Sequence, residues 1–430
     1  MTSSITLNHP DDLSNNKLRP SDRAFHDWYR FVLSYPPHLV RHYVEAFGLA
    51  AHDIVLDPFC GTGTTIVEAK KNGLASIGVE AVPMSHFACR TKVQWQVDLA
   101  ALHRASLAVM EQAQQQLDSP RQGFTPEQRA ILVKNSICDE PLHQCLVLKG
   151  AIAQVPNLTI QSVLNLALAH VAVHDASNLK FGPEVGIRRS KRETAPVLAK
   201  WQAKVSQMAI DLADYQSLAS VPAQCIRGDA RQIRSLLEPD SISAVITSPP
   251  YPNEKDYTRT TRLESVLLGF LQNKEDLRAF KQSLIRSNTR NVYKIDNDDR
   301  VLTSQSQVAA LAQKIEARRL ALNKTSGFER LYHRVTTLYF GGMKRHLQAL
   351  QPALKPGAKL AYVVGDQASF LQIMIRTGEL LEEIAAEVGY TVCRRDLFRT
   401  RLATATGEQL REEVVLLEWP GTAAQPQYFS

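Results

Sequence analysis

Residues 52–82, HDIVLDPFCGTGTTIVEAKKNGLASIGVEAV, decide the fold. Ile54, Val55 and Leu56 read as a short buried strand that ends at Asp57. A glycine-rich turn follows, Thr64 and Thr65 open a helix, and Gly73 closes it before a second strand, ASIGVE. Strand, helix and strand within about thirty residues form a βαβ unit, and its right-handed crossover implies a parallel sheet. Upstream, a helix is expected after Pro37, with Leu39, Val40, Tyr43, Val44 and Phe47 on one side. Downstream, strands return in AQCIRGDA (223–230) and ISAVITSPPY (242–251), and residues 343–419 read as helix, strand, helix, strand and a closing strand. Between these lie helical patterns over 92–222, clearest in Leu198, Trp201, Val205, Met208 and Leu212, and a polar, helix-rich stretch over 254–335.

The expected architecture is therefore an α/β fold. A mostly parallel, Rossmann-like sheet with an antiparallel edge strand is built from residues 23–91 and 223–430. Two mainly helical insertions, 92–222 and 254–335, interrupt it, and residues 1–22 form a loosely held arm. Insertions of this kind leave a sheet at its loops, where recognition surfaces usually sit.

The turn DPFCGTGTT (57–65) approaches a ligand with its backbone, because Gly61 and Gly63 admit positive φ. Glu80, at the end of the second strand, suits the two hydroxyls of a ribose, which alone leaves a nicotinamide dinucleotide open. The dinucleotide register G-x-G-x-x-G is missing, since position 66 is Ile, and no Lys follows the second glycine as in a phosphate-binding loop. Asp57 repels a pyrophosphate but attracts an ammonium. An adenosine cofactor with an α-amino group, S-adenosylmethionine, fits better.

The second motif is TSPPY (247–251). Two prolines cannot extend a ladder, so they stop the strand in a rigid turn. Chemistry on an exocyclic amine accounts for the rest. The lone pair of a cytosine or adenine amino group is delocalised into the ring, and acceptors for its two hydrogens favour the nucleophilic tetrahedral nitrogen. Ser248 Oγ and the Pro249 carbonyl can be those acceptors, Pro250 stiffens the turn, and Tyr251 can stack on a base taken out of its helix.

Together, DPFCGTGTT followed by TSPPY resembles the amino-methyltransferase family of DNA methyltransferases, which act on cytosine N4 or adenine N6. LSYPPHLVRHYVEAF (33–47) resembles the family segment that packs on the methionine end of the cofactor, RGDAR (227–231) its third-strand element, and LKPGAKLAYVVGDQ and EEVVLLEW its later strands. The resemblance implies S-adenosylmethionine as cofactor, with Tyr35, Pro36, Asp57, Phe59, Cys60, Gly61, Thr62, Gly63, Thr64, Thr65, Glu80 and Asp229 about it. It implies Ser248, Pro249, Pro250 and Tyr251 as the catalytic set. The serine form of the tetrapeptide usually accompanies cytosine N4 in that family, and Asp or Asn accompanies adenine N6. The expected activity is thus site-specific, base-flipping cytosine-N4 methylation in restriction–modification or host DNA marking. Adenine-N6 or RNA base methylation, and an inactive nucleic-acid-binding protein, are the alternatives.

A net charge of +7 and a pI near 9.0 agree with a polyanionic partner, double-stranded DNA. Three basic segments are candidates for contacting it. NLKFGPEVGIRRSKRE (178–193) offers Lys180, Arg188, Arg189, Lys191 and Arg192 against Glu184. PNEKDYTRTTR (252–262) offers Asn253, Tyr257, Arg259 and Arg262 next to the catalytic turn. RRDLFRTR (394–401), at an expected hairpin, offers Arg394, Arg395 and Arg399. The family order leaves open which insertion reads the target sequence. A cognate endonuclease is a possible partner, and the chain is expected as monomer or dimer.

Six scattered cysteines fit a reducing cytosol, and the polar N-terminus lacks the order of a signal peptide. With SVLNLALAHVAVH (162–174) too short to span a bilayer, a cytoplasmic protein without a membrane partner is expected. Cys138, His143 and Cys145 in CDEPLHQC lack the fourth ligand and regular spacing of structural zinc, so no metal is expected. Cys60 has no role in the transfer, and no Pro-Cys nucleophile is present for methylation at carbon.

Overall fold

A computed structural model describes residues 13–30, 34–182, 185–253, 256–303, 306–403 and 407–421. Seven strands form the main sheet: β1 (Ile54–Asp57), β2 (Ala75–Glu80), β5 (Ala223–Arg227), β6 (Ile242–Thr247), β7 (Leu354–Gly365), β8 (Thr391–Leu402) and β9 (Gln409–Trp419). The small strands β3 (Leu179–Phe181) and β4 (Val185–Ile187) pair separately as an antiparallel hairpin. The spatial order is β5-β2-β1-β6-β7-β9-β8. Strands from β5 to β7 are parallel, and β9 runs antiparallel to both β7 and the outermost strand β8.

This order places a topological switch between β1 and β6. The chain moves outward from β1 through β2 to β5, then returns to lay β6 on the other side of β1. The turns leaving those two neighbours diverge to opposite faces, and ligands of open α/β sheets bind in the crevice this creates.

Side-chain alternation sorts the strands between two faces. Val55, Ile246, Val363 and Leu416 pack on helix α1 (Pro37–Ala46) through Leu39, Val40 and Tyr43. Leu56, Val245, Leu360 and Tyr362 point the other way, toward helices Tyr332–Leu350 and Thr377–Glu387. Burying each such aliphatic side chain is worth about 1.5–3 kcal/mol, so a one-residue register slip would expose a whole face. Helix α2 (Thr64–Lys71) starts at Gly63, whose φ of +91° places it in the left-handed region. Helix α3 (Pro83–Val93) begins after β2.

Residues 92–222 contribute four long helices, Leu99–Gln116, Asp139–Ile152, Leu158–Val171 and Val197–Asp214, and the β3–β4 hairpin. Their apolar sides join one continuous core with α2, α3 and the segment Phe25–Tyr29. The Trp28 indole and the Phe25 amide both donate to Asp211, at 2.7 and 3.3 Å, and lock that segment to the helices. The expected N-terminal arm is docked where it is described. Asp22 is buried and pairs with Arg41 of α1 at 3.0 Å. Residues 1–12 of that arm lie outside the described residues. Among the described residues, no helix is long and apolar enough to cross a membrane.

Candidate active site at the switch point

The carboxyl ends of β1, β2, β5, β6 and β7 open onto one cavity of about 390 Å³. From the cofactor set, Tyr35, Phe59, Cys60, Gly61, Thr62, Thr64, Glu80 and Asp229 line it. So do Ser248, Pro249, Pro250, Tyr251 and Asn253 from the second motif. Two motifs separated by about 185 residues of chain thus meet in one space, because β1 and β6 are adjacent strands.

The first turn is held by carboxylates. Glu80 accepts from the amides of Gly61 (2.8 Å) and Val82 (2.6 Å), which ties the turn to the end of β2. Asp57 lies beneath the cavity wall, fully buried. It accepts from the Phe59 amide at 3.0 Å, the Thr247 hydroxyl at 2.5 Å and the Tyr35 hydroxyl at 3.1 Å. It therefore ties the end of β1 to the residue before Ser248. Thr65 extends this clasp by bonding Tyr35 and donating to the Ile246 carbonyl at 2.9 Å. Burial outweighs these hydrogen bonds and pushes Asp57 up to about 6 and Glu80 up to about 7. Asp229 caps a short 3-10 turn and is gripped by the Arg231 guanidinium at 2.6 Å, which in turn pairs with Asp298 at 2.5 Å. Pro36, Asp57, Gly63 and Thr65 support this wall without being part of the cavity lining.

The second turn carries little charge. Ser248 Oγ donates to the Val363 carbonyl of β7 at 3.1 Å, so its single hydrogen is committed and its lone pairs remain as acceptors. The Tyr251 ring lies against the backbone of β7. A Cβ on Gly365 would come within 2.8 Å of the Tyr251 Cε2 atom, so glycine is what lets the ring sit there.

Several lining residues are not among the expected site residues: Ser287, Asn291, Gln367, Arg401 and Glu412. Asn291 Oδ1 and Gln367 Nε2 are buried and lack a hydrogen-bond partner. An unsatisfied buried amide costs about 1–3 kcal/mol, which makes these two the polar groups a ligand would satisfy. Gln367 follows the end of β7, a place marked by the rule that ligands sit at carboxyl strand ends. Asn291 stands in the 3-10 turn Thr289–Asn291, and nothing in its sequence context marks it.

The basic segments differ sharply. Lys180, Arg188, Arg189 and Lys191 on and after the β3–β4 hairpin are exposed. Arg192 is turned inward, donating to the carbonyls of His174 (2.6 Å) and Ser177 (3.3 Å). Arg262 is likewise committed to the protein, to Thr258 at 2.5 Å and to Asp256 at 3.6 Å. Arg259 lies in the 3-10 turn Tyr257–Arg259; Glu184 and the Tyr257 side chain fall outside the described residues. The 394–401 segment lies in strand β8, which pairs antiparallel with the next strand β9 as the expected hairpin does, and acids neutralise its arginines. Arg394 pairs with Asp396 (2.9 Å), Arg395 with Glu382 (2.9 Å) and Glu413 (3.3 Å), and Arg399 with Glu412 (2.5 Å). Cys138 and His143 serve the helix packing; the His143 ring accepts from the Gln122 amide at 3.1 Å.

Residues 10–85 match the family model of the N6/N4 DNA methylases. The chain is 24% identical to Type II methyltransferase M.BsoBI of Geobacillus stearothermophilus, over 93% of this chain and 86% of that protein. It is 23% identical to Type II methyltransferase M.AvaI of Nostoc sp., over 88% and 80% respectively. A shorter likeness, 40% over 65 residues, joins it to a tRNA (guanine(10)-N2)-dimethyltransferase of Methanothermobacter thermautotrophicus, covering 15% of this chain and 18% of that one. The cavity suits the cofactor such enzymes use. Glu80 and Asp229 offer carboxylates at adjacent strand ends, and Phe59, Val79 and Val82 offer apolar wall between them. These likenesses support the DNA amino-methyltransferase family for this chain, and with it S-adenosylmethionine as methyl donor.

Proposed function

We propose that this enzyme methylates the N4 amino group of a cytosine turned out of duplex DNA. The observation that carries the reading is Ser248, an obligate acceptor beside the glycine-rich turn in one cavity. When bound, S-adenosylmethionine supplies an electrophilic methyl group; Tyr35, Phe59, Gly61, Glu80 and Asp229 are the residues proposed to hold it. Ser248 Oγ and the Pro249 carbonyl accept the two amino hydrogens and draw the nitrogen lone pair out of conjugation. The prolines fix both acceptors before the base arrives, so little reorganisation is needed at the moment of reaction. Tyr251 offers its ring as the stacking platform for the displaced base. Gln367, on the same wall, presents an amide hydrogen suited to the ring nitrogen or carbonyl of that base.

The exposed cations Lys180, Arg188, Arg189 and Lys191 are proposed to contact phosphates, with the 92–222 insertion that carries them as the target-reading region. Restriction–modification is the proposed setting, on the strength of relatives named as Type II methyltransferases. The test presents labelled S-adenosylmethionine with duplex DNA and with structured RNA in parallel. Label in DNA alone supports the reading. Label in RNA alone, or no cofactor binding by calorimetry, overturns it.

A further inference from the structure

Directly under the cofactor turn, three elements converge on a feature the methyl transfer does not use. Cys60 comes from the β1 turn, Cys89 from α3 and Cys225 from β5, and all three are at most 8% exposed. Cys60 Sγ lies 3.5 Å from Cys225 Sγ and 3.8 Å from Cys89 Sγ, and all three sulfurs fall within 4.8 Å of one another. We propose that Cys60, Cys89 and Cys225 bind one soft cation of the zinc or copper(I) class.

The geometry supplies the argument. A metal–thiolate bond of about 2.3 Å places three sulfurs around one ion roughly 4 Å apart, which matches the spacing here without movement of the backbone. Thiolates select soft ions over calcium or magnesium. Space for the sulfurs is made by glycine: a Cβ on Gly63 would meet Cys89 Sγ at 2.7 Å, and one on Gly78 would meet Cys60 Sγ at 2.7 Å. Entry is through the active-site cavity, whose wall includes Cys60. Each thiol gives up its proton to solvent as the ion takes its place, so three thiolates and a divalent ion leave one negative charge. Lys92, 2% exposed and one turn beyond Cys89 on α3, is the buried cation on hand to balance it.

The site joins the strand-end turn of β1 to α3 and β5, elements otherwise separated by 29 and 136 residues in sequence (89 − 60 and 225 − 89). An ion that binds the native trio and not the unfolded chain raises the melting temperature. The test titrates Cd²⁺ alone into the full-length reduced protein, following the ultraviolet thiolate-to-cadmium charge-transfer band and the melting temperature. The expected result is a band saturating at one equivalent, with an upward shift of Tm. Both are lost in Cys225→Ser and in Cys89→Ala, and both are kept in Cys393→Ser, which removes an exposed thiol elsewhere. The use of two trio variants guards against one failing to fold. A folded wild type with no saturable band, or a band kept in both trio variants, overturns the site and leaves three thiols that serve as small apolar packing.

Discussion

The turns after β1 and β6 lie side by side and are built on opposite principles. The first is held by carboxylates: Glu80 and Asp57 gather the amides of Gly61, Val82 and Phe59, and both titrate near neutrality because they are buried. The second is held by covalent rigidity, with Pro249 and Pro250 fixing φ and the Ser248 hydroxyl donating to the Val363 carbonyl. The difference supports the proposed division of work. A turn made of backbone amides and carboxylates can follow a charged cofactor, whereas a stiff, uncharged turn can hold acceptors against a neutral amine.

Separating these two roles by mutation gives the largest expected effect. Ser248→Ala should lower turnover by on the order of 10²–10³-fold, the scale for loss of one preorganised polar contact, with cofactor affinity retained. Asp57→Ala should do the reverse, losing cofactor binding because the Thr247, Phe59 and Tyr35 contacts collapse together. Calorimetry with S-adenosylmethionine beside single-turnover kinetics reads both; equal loss of binding in the two variants breaks the comparison.

Next comes backbone tolerance. Gly63→Ala forces a Cβ onto Cys89 in a left-handed conformation costing about 1–2 kcal/mol, so thermal melting should show clear destabilisation with weakened cofactor binding. Gly365→Ala pushes on the Tyr251 ring instead, and should reduce turnover more than cofactor affinity.

The pH response is smaller and confined to the first turn. Glu80 has a folded value of about 7 against an ordinary 4.5, so its protonated form favours folding. That contribution is complete below pH 4.5 and disappears as pH rises through about 7. If Glu80 holds the ribose as proposed, cofactor affinity runs the opposite way, because the ionised carboxylate is the better acceptor for its two hydroxyls. It should rise from pH 6 to pH 8 in the wild type and stay flat in Glu80→Gln, as read by calorimetry at each pH.

How much of this was legible depends on what each signal encodes. The βαβ unit and both turns announce themselves because hydrophobic period, glycines and prolines are local. Charge compensation is not local. RRDLFRTR and the 180–192 segment read alike as basic, yet β8 places Glu412 and Glu413 opposite the first and leaves the second exposed. Arg192 and Arg262 were expected to face DNA, and buried carbonyls and Asp256 hold them instead. Asn291 was silent because its sequence context carries no motif, and Gln367 had only its place after a strand to mark it; the cavity singles out both amides. The cysteine trio was hidden for the same reason, its members brought together by the adjacency of β1, β2 and β5 and by the packing of α3 on them. The smallest predicted effect follows from this contrast. Arg189→Ala should weaken DNA binding a few-fold and lower the salt slope by about 1, while Arg394→Ala, already paired with Asp396, should leave both unchanged in a filter-binding series.

The identity of the methylated nucleoside tests the central claim most directly. Genomic DNA from a heterologous host expressing the protein, digested to nucleosides and separated by mass, should contain N4-methyldeoxycytidine that is absent when Ser248→Ala is expressed. N6-methyldeoxyadenosine above the host background, without the cytosine product, would contradict the reading of Ser248.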